Sequence, residues 1–294
     1  MTTHIVSPFS PAFPAFSIVT VCLNAASALE NALESVLAQS YPHLEYIVID
    51  GGSTDGTREI LDRYKDRLAR VISEPDEGIY DAFNKGVELA AGDVVGLLNA
   101  DDRYAPWALS AVAEAMREHP EIGVFYGKQV VIDEISRRWT VYPLGDPAGL
   151  PDSMCISHPA MFVRKSVYEK HGAFDASYKI TGDWDFVLRL YRAGERFYPI
   201  DTVLTAFDNA GVSSVPSRRL LAENRRVYFR HLSLLSAAWK ATRLELKYWG
   251  RKFLDTSGSY RLYSRYRDSR LLKVEISGTY TGSLKEVWDA LGDR

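Results

Sequence analysis

The feature that most constrains this 294-residue chain is the regular alternation of short apolar runs with amphipathic stretches over residues 17–126. Residues 17–23 (SIVTVCL) are apolar and rich in β-branched side chains, which reads as a strand buried on both faces. Asn24 follows and can cap a helix. Leu29, Leu33, Val36 and Leu37 recur there at helical spacing, and Tyr41-Pro42 ends it. Residues 44–50 (LEYIVID) form a second strand. Asp55 or Thr54 caps the next helix, with Ile60, Leu61 and Tyr64 facing inward. A short strand at 70–73, a helix at 79–90 and a strand at 93–98 come next, and the last runs straight into Asn99-Ala100-Asp101-Asp102. A helix at 106–118 and a strand at 122–126 complete the series. One helix between successive strands predicts an α/β fold with right-handed crossovers and a mostly parallel sheet flanked by helices. Such sheets bind ligands at the carboxyl ends of their strands, which selects Asn24, Asp50 and residues 99–102.

The pattern loosens after residue 127. Residues 128–141 read as a hairpin turning near 134–137, 143–153 as a loop, 159–163 as a strand, 182–193 as an amphipathic helix and 197–207 as extended. From residue 217 the chain reads as helical, basic and aromatic, with Tyr228, Phe229, Trp239, Tyr248, Trp249 and Phe253. This divides it into a sheet domain, 1–216, and a basic, aromatic-rich helical region, 217–294. Residues 218–273 hold 15 Lys and Arg against 4 Asp and Glu, while the whole chain has a net charge of −3. The basic region is open to three readings: contact with an anionic membrane surface, homodimerisation, or packing on the acidic body. It carries no RNA-binding motif, so nucleic acid is not an expected partner.

Cys22 and Cys155 lie in apolar sequence and make no disulfide framework, which fits a cytoplasmic protein. Residues 5–29 lack Lys, Arg, Asp and Glu. They are not expected to be a signal peptide, because no basic segment leads in and Pro8, Pro11 and Pro14 interrupt the run. No stretch approaches the roughly 20 apolar residues of a membrane span. The expected location is the cytoplasm, with peripheral contact at the inner face of the cell membrane through residues 217–273.

Three clusters carry chemistry. Asp101 and Asp102 follow a buried strand. Adjacent carboxylates repel and are stabilised by a cation, and one or two of them suit Mg²⁺ or Mn²⁺ that also grips a ligand's phosphates. The same pair could simply cap the helix after Pro106. Asp50-Gly51-Gly52-Ser53 sets two glycines after a strand, where backbone can approach a ligand closely; a tight turn before a capped helix is the rival reading. Thr181-Gly182-Asp183-Trp184-Asp185 places an aspartate at the start of a helix, where it faces a cleft or acts as an N-cap.

Together Thr20–Asn24, Asp50–Thr57, Glu77–Gly86 and Asn99–Asp102 resemble family 2 glycosyltransferases, over about residues 16–213. The Glu77–Gly86 segment is similar to a bacterial subgroup that builds exopolysaccharide and O-antigen units. The resemblance implies a GT-A fold, a catalytic domain at 1–216 and an inverting reaction. It implies that Asp50 sits on the nucleotide base with Thr20, Leu23, Asn24 and Gly51 nearby, and that Asp76, Tyr80, Asn84 and Lys85 face the donor. Asp101 matches the metal position of the DxD motif, and Asp102 its neighbour beside the ribose or metal. Asn99 stands where the motif's first Asp is usual.

The resemblance also makes Asp183 the catalytic base, with Asp185 its rival; Gly182 stands where the family commonly has Glu. His158, and beside Asp183 Trp184, are placed on the acceptor side. Residues 207–214 resemble a loop that closes over the diphosphate. The donor implied is a UDP-sugar, UDP-glucose or UDP-galactose, and the acceptor a glycan or lipid-linked glycan for a surface polysaccharide. Two rivals are a non-catalytic nucleotide-sugar scaffold or sensor, suggested by Asn99 and Gly182, and a sugar nucleotidyltransferase. The latter needs a glycine-rich phosphate loop that residues 24–27 (NAAS) do not supply.

Overall fold

Ten strands make one mixed sheet in the computed structural model, which describes residues 13–133, 136–208, 217–256 and 276–292. Inside it lies β1 (Phe16–Cys22), with all seven residues buried, as expected of a run without a charged residue. β2 (Leu44–Asp50) and β4 (Val94–Asn99) flank it in parallel, and β3 (Arg70–Ser73) lies parallel beyond β2. The intervening helices are α1 (Leu29–Leu37), α2 (Thr57–Tyr64) and α3 (Ile79–Leu89). The register sets Cys22 beside Asp50 and Val21 beside Asn99, so three strand ends open together.

Past β4 the pairing changes. The strand order is β10-β7-β6-β8-β4-β1-β2-β3. β6 (Val124–Asp133) and β7 (Arg138–Val141) form the expected hairpin, and β8 (Met161–Arg164) pairs antiparallel with both β4 and β6. β9 (Phe197–Asp208) runs parallel to β6 and pairs antiparallel with the short β5 (Arg103–Tyr104). The mostly parallel arrangement therefore holds for β3-β2-β1-β4, and the sheet as a whole is mixed. A tight hairpin such as β6–β7 can only be antiparallel, since a parallel pair needs a long crossover.

Helices α3, α5 (Lys165–His171), α6 (Gly182–Arg192) and α7 (Arg218–His231) contribute to the core on one face. Helices α1, α2 and α4 (Ala108–Glu118) contribute to the core on the other. The boundary expected at residue 216 does not separate two cores. Val227 and Tyr228 of α7 and Ala237 of α8 (Leu234–Thr256) are buried in the same cluster as Trp184 and Phe186. Nor is the end of the chain purely helical. β10 (Ile276–Thr279) adds to the sheet edge against β7, and α9 (Leu284–Gly292) closes a small core of Trp139, Tyr280 and Val287.

Candidate active site

The open strand ends border a cleft of about 730 Å³, a volume suited to a small-molecule ligand. Leu23, Asn24, Asn99, Asp101, His158 and Asp183 all line it, joining segments that are up to 160 residues apart.

Loop geometry after β1 and β2 explains one wall. Asn24 does not cap α1, whose N-cap is Ala28 without a side-chain bond. Instead Asn24 takes φ 51°, which its short amide tolerates. Its Oδ1 accepts from the Thr54 N–H at 2.9 Å and its own N–H donates to Ser53 Oγ at 2.7 Å. Asp55 supports the start of α2, accepting from the Thr57 N–H at 3.1 Å. Asp50, expected on a nucleobase, is fully buried. It accepts from the Ser53 N–H and from the hydroxyls of Ser53 and Ser73. Burial alone would push its carboxyl up, but these hydrogen bonds and the nearby Arg58 guanidinium hold it below the ordinary range. Asp50 is thus an internal anchor for the turn. The carboxylate that reaches the cleft here is Asp76, and a Cβ at Gly51 would come within 2.5 Å of its Oδ2. Glycine at 51 is what lets Asp76 fold over the turn, though Gly51 itself does not line the cleft.

Other expected donor contacts are also taken by the fold. Thr20 is fully buried on the core face of β1, with Oγ1 2.9 Å from the Tyr46 hydroxyl. Asn84 clamps the backbone of Phe174, donating to its carbonyl and accepting from its N–H, both at 2.9 Å. The Lys85 ammonium lies 2.9 Å from Glu74 and 3.5 Å from Asp81, neutralised away from the cleft. None of these three lines it. A cation that does, Lys179, was not singled out from the sequence, although it sits four residues before Asp183; its ammonium donates to the carbonyls of Glu77 and Ala176.

At the end of β4 the carboxylate pair splits. Asp102 turns inward, fully buried, and accepts from Asn99 Nδ2 at 2.9 Å. Asp101 is exposed and lines the cleft. Asp102 is therefore not placed to touch a ribose, and Asn99 holds it in. Among the described residues no three His, Cys, Asp or Glu side chains cluster to cage a metal. One hard carboxylate at the mouth of a cleft fits a Mg²⁺ or Mn²⁺ ion shared with a ligand's phosphates rather than one enclosed by protein.

The opposite wall carries Asp183, in the first turn of α6. The N-cap position belongs to Thr181, which leaves the Asp183 carboxylate free to line the cleft, where the Tyr80 hydroxyl lies 3.0 Å from its Oδ1 and 2.7 Å from the Ile180 carbonyl. Gly182 has a local reason. A Cβ there would meet three Tyr80 ring atoms at 2.8–2.9 Å, so the tyrosine fills the space a side chain at 182 would need. Asp185 points elsewhere: it is fully buried, with Oδ1 2.8 Å from His231 Nε2 and 3.3 Å from the Arg230 guanidinium on α7. Trp184, expected on the acceptor side, is 3% exposed. It donates to the Leu150 carbonyl at 2.7 Å and stands edge-on to Tyr228, so it is core. His158 does line the cleft. Its ring lies 5.3 Å from that of Phe83 and 5.8 Å from that of Phe174, and burial pushes its pKa down against the pull of Asp183, keeping the imidazole neutral. Of the expected closing loop, residues 209–214 lie outside the described residues, while Phe207 reaches the cleft.

The sequence model of Glycosyl transferase family 2 matches residues 17–172, more than half of the chain. The chain belongs to that family. A Mycobacterium tuberculosis relative, the PGL/p-HBAD biosynthesis glycosyltransferase, is 34% identical over 184 residues, covering 61% of this chain and 71% of its own. Staphylococcus aureus TarS 1-349, solved in complex with UDP-GlcNAc, has a similar fold at TM-score 0.59 and 19% identity, over 95% of this chain and 80% of that one. The mannosyltransferase PcManGT of Pyrobaculum calidifontis, solved with GDP-Man and Mn²⁺, matches at TM-score 0.53 and 22% identity, over 82% and 68%. Family 2 membership makes the chain a glycosyltransferase and sets the nucleotidyltransferase reading aside. Among the described residues no helix is long and apolar enough to cross a membrane.

Proposed function

We propose that the chain transfers a hexose, with inversion, from a UDP-sugar such as UDP-glucose or UDP-galactose to a hydroxyl of a glycan or lipid-linked glycan. The observation that carries this reading is the placement of two carboxylates, Asp101 and Asp183, on one cleft from separate walls. Inversion needs a leaving diphosphate on one side of the anomeric carbon and a base on the other. Asp101 is the residue that would hold Mg²⁺ or Mn²⁺, which when bound supplies positive charge beside the departing diphosphate. Asp76, Leu23 and Asn24 border the nucleoside end. Asp183 takes the proton from the acceptor hydroxyl. That oxygen then forms a bond to the anomeric carbon as the bond to the diphosphate breaks, turning an α-linked donor into a β-linked product. The Tyr80 hydroxyl and the α6 backbone hold Asp183 in place, and His158, packed against Phe83 and Phe174, gives the acceptor side a weakly polar wall.

The supporting test pairs binding with turnover. UDP and one UDP-sugar should raise the melting temperature in a metal-dependent way, by mass action on the folded state. Asp183→Asn should keep that shift and lose transfer by about 10³-fold or more, as expected for a missing base plus misplacement. Retained turnover in Asp183→Asn would remove Asp183 from the role. Absence of any nucleotide shift would remove the UDP-sugar assignment.

A further inference from the structure

Five of the nine most exposed large apolar side chains among the described residues sit on one helix, α8: Leu234, Leu235, Trp239, Leu246 and Trp249. Their exposures run from 49% to 84%. At 3.6 residues per turn, Leu235, Trp239, Leu246 and Trp249 fall within an arc of roughly 80°. Ala237 and Ala241, buried against the core, lie on the other side of the helix. So α8 has two apolar stripes, one of small residues used by the fold and one of large residues that the fold leaves to solvent. Exposed tryptophans at regular spacing on a helix already docked by its opposite face have no part in folding the monomer.

The edges of the outer stripe are cationic. The Arg243 guanidinium lies 5.4 Å from the Trp239 ring centre, and the Lys252 ammonium lies 5.3 Å from that of Trp249. The surrounding segment, 218–273, carries 15 Lys and Arg against 4 Asp and Glu. A tryptophan and leucine stripe edged by Lys and Arg is complementary to a bilayer with anionic headgroups: the rings enter the interface and the cations meet the headgroups. A protein partner of matched charge would leave less reason for tryptophan, which favours the headgroup level of a membrane.

The inner side of α8 contacts the loop that leads into the cleft wall. Lys240 on that side forms an ion pair with Asp152, and the Tyr228 hydroxyl donates to the Asp152 carbonyl at 2.9 Å. Two residues on, Met154 and then Ile156–Pro159 line the cleft, on the wall that the proposed reading gives to the acceptor. We infer that α8 is a peripheral docking helix that lies flat on an anionic lipid bilayer through Leu235, Trp239, Leu246 and Trp249. It would hold the acceptor lip of the cleft close to that surface. The docking stands without the sugar-transfer reading; the delivery of a lipid-borne acceptor from the same bilayer rests on it.

The test uses the full chain and vesicles of phosphatidylcholine, alone or with one quarter phosphatidylglycerol. The chain should co-sediment with the anionic vesicles at low salt and at least tenfold less with the neutral ones. Trp239→Ser with Leu246→Ser should lower the anionic partition at least tenfold, while the melting temperature and its shift with UDP stay unchanged, because both side chains are exposed. No partition onto anionic vesicles, or partition indifferent to the double substitution, overturns the inference. A concentration-dependent dimer that the same substitutions dissolve, with no vesicle binding, also overturns it and assigns the stripe to a second copy of the chain. Because the assay reads no transfer, its failure is separate from any failure of the catalytic assignment.

Discussion

Glu223 on α7 is 9% exposed and has no place in the cleft, yet its carboxylate governs the approach to Asp183. Its Oε2 accepts from the backbone N–H groups of Ile180 at 2.8 Å and Thr181 at 3.0 Å, and the Lys179 N–H lies 3.1–3.2 Å from both oxygens. These three residues enter α6, and they lead directly to the Asp183 turn. Glu223→Ala would strand all three donors. A buried unsatisfied donor costs about 1–3 kcal/mol. Thr181 is buried while Lys179 and Ile180 are partly exposed and can recruit water, so the sum should come to about 2–4 kcal/mol rather than the full threefold penalty. That lies below a typical stability of about 5–15 kcal/mol, so the variant should fold. Glu223→Gln keeps one oxygen where Oε2 accepts and should cost only about 1 kcal/mol, mostly lost charge assistance. Urea unfolding measures both, and initial-rate kinetics should show kcat lowered about tenfold or more in Glu223→Ala from a small misplacement of Asp183. The KM for the donor should change little, and Glu223→Gln should recover most of kcat. A stability loss under about 1 kcal/mol in Glu223→Ala, or equal damage from Ala and Gln, would refute the anchoring argument.

Gly182→Ala should lose stability by about 1–3 kcal/mol through overpacking against the Tyr80 ring; Gly182→Ala with Tyr80→Leu should regain stability in urea unfolding but not transfer, since the hydroxyl beside Asp183 is gone. Asp101→Ala should abolish the metal dependence of the UDP-induced melting shift, and a shift that still needs Mn²⁺ would place the ion elsewhere. Asp175 links α7 to the core. Burial pushes its carboxyl up, but bonds from Ser177 and Arg230 and the charge of Arg226 bring it down to about 2. Its folded value lies below the unfolded value of about 3.9, so its stabilisation is present above about pH 4 and is lost as pH falls toward 2. Urea midpoints at pH 5 and pH 3 should therefore differ less in Asp175→Asn than in the parent.

The parallel half of the sheet was legible because β1 and β4 are uncharged, mostly apolar runs and a helix separates each parallel strand from the next, a pattern local enough to read. The antiparallel half was not, because β6 takes partners as distant as β9 and only packing decides among them. Cleft residues separated the same way. Asn24 and Asp101 follow from strand ends and Asp183 from a helix start, while Leu23 was implied by the family resemblance. Whether Asp50 faces out or in depends on Ser73, 23 residues away, and the fate of Lys85 on Glu74 and Asp81. Trp184 and Asp185 are neighbours of Asp183 in sequence but turn into the core on successive helical positions, and the register that decides this is set by the Thr181 N-cap. The meaning of Gly182 lay with Tyr80, a hundred residues earlier.

The short strand β10 pairs along β7 through Ile276–Thr279, and Gly278 lies flat against Trp139, where any side chain would collide with the indole. During synthesis β7 emerges long before the strand that covers it, and chains fold from the N-terminal side as they appear. For that interval the hairpin presents a row of open backbone donors and acceptors, the feature that recruits strands from neighbouring chains. A shortened version lacking residues 276–292 would keep the cleft but wear this raw margin permanently, and would be prone to aggregate for reasons unconnected with catalysis.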